Sequence, residues 1–183
     1  HGVVGIDLAG PESGRKEFLD PWMQEIAAMF EKARKAGLGT TYHVGETAFT
    51  GPDGMERVLD KVRRDRIGHG IQLLAAERPQ RDRLLSMLRE RSVLLEICPS
   101  VNLITRSIDS LDRLSELLRL LERESVRYCL NTDAPYLLHT NLRHEYEIMA
   151  EALGGDAGIL ENCHEHADAV SFLNGGEGSR KSG

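Results

Sequence analysis

Along this chain, short β-branched and apolar runs alternate with longer stretches in which apolar residues recur every three or four positions. Five runs read as strands: "VVGIDLA" from Val3, "GTTYHV" from Gly39, "DRIGHG" from Asp65, "SVLLEIC" from Ser92 and "VRYCLNTD" from Val126. Between the first two, Met23, Ile26, Ala27, Phe30 and Ala33 share one face of a predicted helix. Asp20 is placed to cap it, Pro21 suits its first turn and Gly37 closes it. Met55, Val58, Leu59 and Val62 predict the next helix, and Leu84, Leu85 and Leu88 another. Leu111, Leu114, Leu117, Leu118 and Leu121 predict a fourth. Past the last strand, Leu142, Tyr146, Met149, Ala150 and Leu153 read as one helix, and a final helix runs to about Leu173. Strands alternating with helices favour βα units around a parallel sheet. Five such units suffice for a doubly wound sheet, and they also make five-eighths of a (β/α)8 barrel.

The strand ends bear on that choice, because each run stops in residues poor at strand formation and good at chemistry. In order these are Asp7, Gly10 and Glu12 in "DLAGPE", His43 and Glu46 in "HVGE", and His69 in "GHG". Glu96 and Ser100 follow in "EICPS", and Asn131 and Asp133 in "NTDAP". In a parallel barrel all these ends open on one mouth, where active sites are built. His43 and Asp133 supply the neutral imidazole and the carboxylate that a catalytic Zn²⁺ takes. Glu46 is placed to exchange a proton with a substrate ring nitrogen. His69, between two glycines that let the backbone come close, is placed to orient a water. Each motif alone has an ordinary structural reading, as a strand-end histidine, a tight turn or, for Asp133, a helix cap. Their convergence is what points to a site.

Composition narrows the partner. The 183 residues with 40% hydrophobic content bury a sizeable core within a single domain, expected over 1–173. A net charge of −6, 5% aromatics and no long basic run argue against nucleic acid or an anionic membrane surface, leaving a small molecule. Cys98, Cys129 and Cys163 are odd in number and sit in apolar or helical context, which fits a reducing cytoplasm better than a disulfide framework. No apolar run has membrane-spanning length. The tail 174–183, "NGGEGSRKSG", is expected to be disordered. Neither GxGxxG nor GxxxxGK[ST] occurs, so a phosphate-loop protein lacks support.

Together, "VVGIDLAGPE", "HVGE", "RIGHG", "LEICPSVNLIT" and "LNTDAP" resemble, in this order and at these spacings, the adenosine deaminase family of zinc-dependent amidohydrolases. The resemblance runs from about Val3 to Leu173. It implies an incomplete (β/α)8 barrel of TIM type in which the five strands are the fourth through eighth. It implies that His43 is a zinc ligand and that Asp133 is the ligand that also holds the attacking water. By the same resemblance Glu46 is the proton donor to purine N1, His69 polarises the water, and the backbone of Gly10 faces the purine ring. The implied reaction is hydrolytic deamination at C6 of an adenine-type nucleoside or base. The deaminase class that holds zinc on one histidine and a PCxxC cysteine pair is excluded, since no such pair exists.

Two positions depart from the family pattern. The family draws two further zinc ligands from an HxH motif on its first strand, and the HxH here, His164-Glu165-His166, lies in a helical stretch. Residues two apart on a helix point about 200° apart, so they read as surface histidines. The chain starts at His1 directly in a strand-like segment, which suggests a missing N-terminal part. With two of four ligands, it is not expected to turn over substrate alone. The alternative is a non-catalytic remnant that binds a purine or a protein. Ala134 stands where the "TDD" form of the family has a second aspartate. Cys98 is expected to be buried, Glu96 to answer a buried polar partner, and His139 and His144 to be solvated. Ser100, Asn102 and Thr105 either line the pocket or shape the loop. A barrel opened after its third strand exposes two parallel strand edges, and self-association through them is expected.

Overall fold

A computed structural model describes residues 2–12 and 20–174 of the chain. Its strands are β1 (Gly5–Leu8), β2 (Gly39–Val44), β3 (Arg66–His69), β4 (Leu94–Ile97) and β5 (Tyr128–Leu130). They form one sheet in chain order, and every neighbouring pair is parallel. Helices α1 (Asp20–Lys35), α2 (Gly51–Lys61), α3 (Arg78–Glu90) and α5 (Leu111–Arg123) lie between the strands in sequence, with the short α4 (Pro99–Ile104) preceding α5. After β5 come α6 (Pro135–Leu138), α7 (Leu142–Ala152) and α8 (Ala157–Ala169). This is the incomplete barrel of βα units read from the sequence.

Pairing register divides the sheet into two faces. Ile6, Tyr42, Val44, Ile67, Leu95, Ile97, Tyr128 and Leu130 join the helix side chains Phe30, Met55, Leu59, Leu84, Leu88, Leu117 and Leu121 in one core. That burial is the main force holding helices to sheet, at about 1.5–3 kcal/mol for each fully buried large apolar side chain. The opposite, inner face carries Asp7, Thr41, Arg66, Glu96 and Cys129, because in-register partners on parallel strands point the same way. His43, paired with Gly68, belongs to the same inner row.

Local signals explain the helix bounds. Ser110 and Asn141 cap α5 and α7 by accepting the N–H groups of Arg113 and His144. At the end of α1, the N–H of Leu38 reaches Ala33 O and that of Gly37 reaches Arg34 O, which closes the helix at the predicted glycine. The last helix is shorter than predicted. It stops at Ala169, and a 3-10 turn follows at Phe172–Asn174. The short α4, α6 and the 3-10 turn Ile71–Leu74 are too brief to show a repeat in the sequence. Residues 175–183, which hold most of the predicted tail, lie outside the described residues.

The 3-10 turn at Phe172–Asn174 closes the end of the inner face away from the mouth. The Phe172 ring sits where a Cβ on Gly5 or Gly39 would be, with its Cδ2 atom 2.8 Å from the Gly5 position. The Arg66 guanidinium stacks 3.8 Å from the ring centroid, donates to Val170 O and pairs with Glu96 at 2.9 Å. Glu96 therefore has a polar partner, as expected, but the partner, Arg66, is half-buried and not buried. The three cysteines are free and buried, as read from their context. His164 is exposed as expected, but His166 is half-buried and not a surface histidine, because its ring packs edge-on to Tyr128 at 5.9 Å; the helical HxH does not converge. No helix among the described residues is long and apolar enough to cross a membrane.

Candidate metal centre and active site

The C-terminal ends of β2, β3 and β5 bring His43, His69 and Asp133 together. One ligand atom from each lies within 4.8 Å of the others. His43 Nδ1 is 3.2 Å from His69 Nε2, and the rings meet edge to face at 76°. His69 Nε2 is 3.7 Å from Glu46 Oε2 and 3.9 Å from Asp133 Oδ2. Four residues singled out in the sequence thus share one cluster. Asp7 joins them from β1, its Oδ2 3.1 Å from His43 Nε2.

Backbone geometry makes this convergence possible. A Cβ on Gly68 would lie 2.7 Å from the His43 imidazole, so the glycine before His69 clears the space its in-register partner fills. His69 and Asp133 adopt left-handed φ values of 71° and 53°, sparsely populated for such residues and concentrated at functional sites. Asp133 does not cap the following helix. Ala134 holds that position, and the carboxylate turns toward the histidines.

The two imidazoles are driven apart electrostatically. Burial opposes a charge on His43, but the hydrogen bond and charge of Asp7, with the charges of Asp133 and Glu96, outweigh it and raise its pKa. His69 is 1% exposed, and burial together with the neighbouring His43 charge lowers its pKa to about 4. His69 is therefore neutral near pH 7. An imidazole with a carboxylate is a donor pair that suits Zn²⁺, and His43 and Asp133 supply it. One donor atom of His43 and one of Asp133 lie within 4.8 Å of each other, so the two can face one ion.

A second set of residues holds the first. Glu12, after β1, accepts the N–H groups of Glu46 at 3.1 Å and Thr47 at 2.7 Å, and the Thr47 hydroxyl at 2.5 Å. Burial works against its charge, but these bonds and one from Thr50 lower its pKa overall. Asn102, fully buried on α4, meets His69 Nδ1 through Nδ2 at 3.2 Å. Ser100 gives its N–H and hydroxyl to Glu145 of α7, which also takes the Thr140 hydroxyl. Ser100 and Asn102 thus shape the loop from inside, while Thr105 is exposed and bonds Val101 O.

Gly10 lies on the loop after β1 at φ 130°, and a Cβ there would meet nothing within 4 Å. The Cys98 thiol contacts Glu96 O, and burial pushes its pKa far up, as suits a packed residue. His139 and His144 are exposed, as expected. Sequence reasoning gave no role to Asp7, Glu12 or Glu145. The first two stand inside the quoted strand-end motif. The third falls on the apolar stripe of its helix, three before Ile148 and four before Met149, where a carboxylate is out of place.

The profile of the adenosine deaminase family matches residues 1–180. An aminodeoxyfutalosine deaminase of Streptomyces coelicolor is 35% identical over 172 residues, covering 94% of this chain and 41% of that protein. An adenine deaminase of Agrobacterium fabrum is also 35% identical over 172 residues, covering 93% and 48%. Among solved structures, the N6-methyl-AMP deaminase of Arabidopsis thaliana superimposes with a TM-score of 0.68 at 26% identity, over 93% of this chain and 45% of that one. An Arabidopsis structure of ADAL complexed with IMP superimposes with a TM-score of 0.69, also at 26% identity. The chain spans less than half the length of these curated relatives.

Proposed function

Because the chain belongs to the adenosine deaminase family, we propose that it forms part of a zinc-dependent enzyme that hydrolytically deaminates an adenine-type purine at C6. The observation that carries this reading is the meeting of His43, His69, Glu46 and Asp133 at one end of a parallel sheet. His43 and Asp133 would hold the metal, with two further ligands supplied from a strand outside this chain. Zinc, when bound, lowers the pKa of a coordinated water and stabilises developing negative charge.

The remaining chemistry belongs to the side chains. Glu46 delivers a proton to purine N1 as water adds its oxygen at C6 and gives a proton to Asp133. That proton passes to the amino group, the C6–N bond breaks to release ammonia, and the C6 hydroxyl proton returns to Glu46. His69, neutral by burial, orients that water by a hydrogen bond, and Asp133 accepts from it. Gly10, with open space beside its backbone, faces the purine ring. Ala134 has no polar side-chain atom for the ring. Leaving one such partner unpaired costs about 1–3 kcal/mol, which counts against adenosine itself and favours adenine or a modified adenine nucleoside or nucleotide. Relatives named for adenine, aminodeoxyfutalosine and N6-methyl-AMP deamination support that breadth. We place the reaction in the cytoplasm, consistent with the three free thiols.

The test is zinc content after dialysis of the complete protein that carries this chain, followed by ammonia release from adenine, adenosine, N6-methyl-AMP and aminodeoxyfutalosine. Near-stoichiometric zinc that His43→Ala and Asp133→Ala abolish, with ammonia from at least one substrate, is expected. Zinc without ammonia from any of the four would favour a purine-binding module instead.

A further inference from the structure

We propose that Glu12 is the positioning residue for Glu46, fixing the backbone from which the proton donor reaches the site. The inference rests on the deaminase reading of Glu46. The geometry stands independently of it. Glu12 is 6% exposed, and its two oxygens take the consecutive N–H groups of Glu46 and Thr47 together with the Thr47 hydroxyl. Among the described residues its hydrogen-bond partners are all neutral donors. A carboxylate buried without a cation is costly unless its lone pairs are filled, and here the filling groups are the loop that carries Glu46.

Backbone hydrogen bonds hold that loop at its two ends, Gln72 N–H to Gly45 O at 3.0 Å, Gly51 N–H to Thr47 O at 3.1 Å and Gly54 N–H to Thr50 O at 2.8 Å, while Glu12 takes the N–H groups of Glu46 and Thr47 between them. Residues 45–50 are bends and turns between β2 and α2, with weaker support from Thr50 to Gly45 N at 3.4 Å and from Gln72 to Glu46 O at 3.5 Å. The Glu46 carboxylate ends 3.7 Å from His69 Nε2, a placement that depends on where its own N–H is pinned. Glu12 comes from the loop after β1, which therefore sets the position of a group on the loop after β2. A misplacement of about 1 Å at a reacting group costs on the order of a hundredfold in rate.

The test is Glu12→Gln in the complete protein, alone and combined with Glu46→Gln. Glutamine keeps the size but turns an N–H₂ toward donors. The single variant is expected to lose about 10- to 100-fold in kcat with KM moved less than about threefold. Over the residual rate of Glu46→Gln it is expected to cost less than about twofold, because an effect exerted through Glu46 vanishes once that group is gone. An equal loss in both backgrounds would mean a general structural role and overturn the proposal. Amide hydrogen exchange supplies a readout free of turnover: Glu46 and Thr47 should exchange about tenfold faster in Glu12→Gln. Unchanged exchange overturns the clamp. Faster exchange in a protein that releases no ammonia removes the deaminase reading and keeps the clamp.

Discussion

Glu145 has no exposed surface, and its three hydrogen bonds all come from neutral donors, the Ser100 N–H and hydroxyl and the Thr140 hydroxyl. It ties α7 to the start of α4, and α4 carries Asn102 onto His69. Glu145→Ala leaves those donors unpaired in a dry interior, and urea unfolding is expected to show a loss of about 3 kcal/mol. Asn102→Ala strands His69 Nδ1 in the same way, with an expected loss of about 1–3 kcal/mol by the same measurement. Glu12 makes a pH-dependent contribution. Its folded pKa lies below the ordinary value of 4.5, so its contribution is complete above that value and disappears as pH falls through the folded one. The gap in urea midpoint between the wild type and Glu12→Gln should stay constant from about pH 7 to about pH 5 and narrow below about 4.5. A gap that persists unchanged to about pH 3 would contradict that assignment.

The strands and helices meet at glycines whose missing Cβ is occupied by a neighbour. Gly39 gives its space to the Phe172 ring and Gly68 to the His43 imidazole. Gly39→Ala should cost about 1–3 kcal/mol through overpacking, and most of that cost should disappear in a Phe172→Ala background, read as a double-mutant cycle of urea midpoints. The strands themselves were legible in the sequence, because buried parallel strands read as apolar runs ending in polar chemistry. His43, Glu46, His69 and Asp133 were legible for the same reason, since each stands where its run stops. The supporting contacts were not. Glu12 acts on a loop 34 and 35 residues away and Glu145 on one 45 residues away, and local periodicity carries no trace of such pairings. Phe172 was hidden as well, because a helix continued to Leu173 would not bring its ring beneath β1.

At the scale of the molecule, β1 and β5 are the two edges of an all-parallel sheet. Unpaired edge backbone is a template for another copy, and Val3 and Val4 beside β1 are 68% and 39% exposed. The chain 1–183 in isolation is therefore expected to self-associate, with a weight-average mass that rises with concentration in sedimentation equilibrium. A monodisperse monomer at all concentrations would contradict this. The Phe172 ring adds an order of events. Its socket is made by Gly5 and Gly39, which leave the ribosome well before Phe172, whereas the ring that fills it is made after all five strands. During synthesis the underside of β1 and β2 stays wet until that late residue arrives, so the last contact made there joins these two strands to the segment that follows α8.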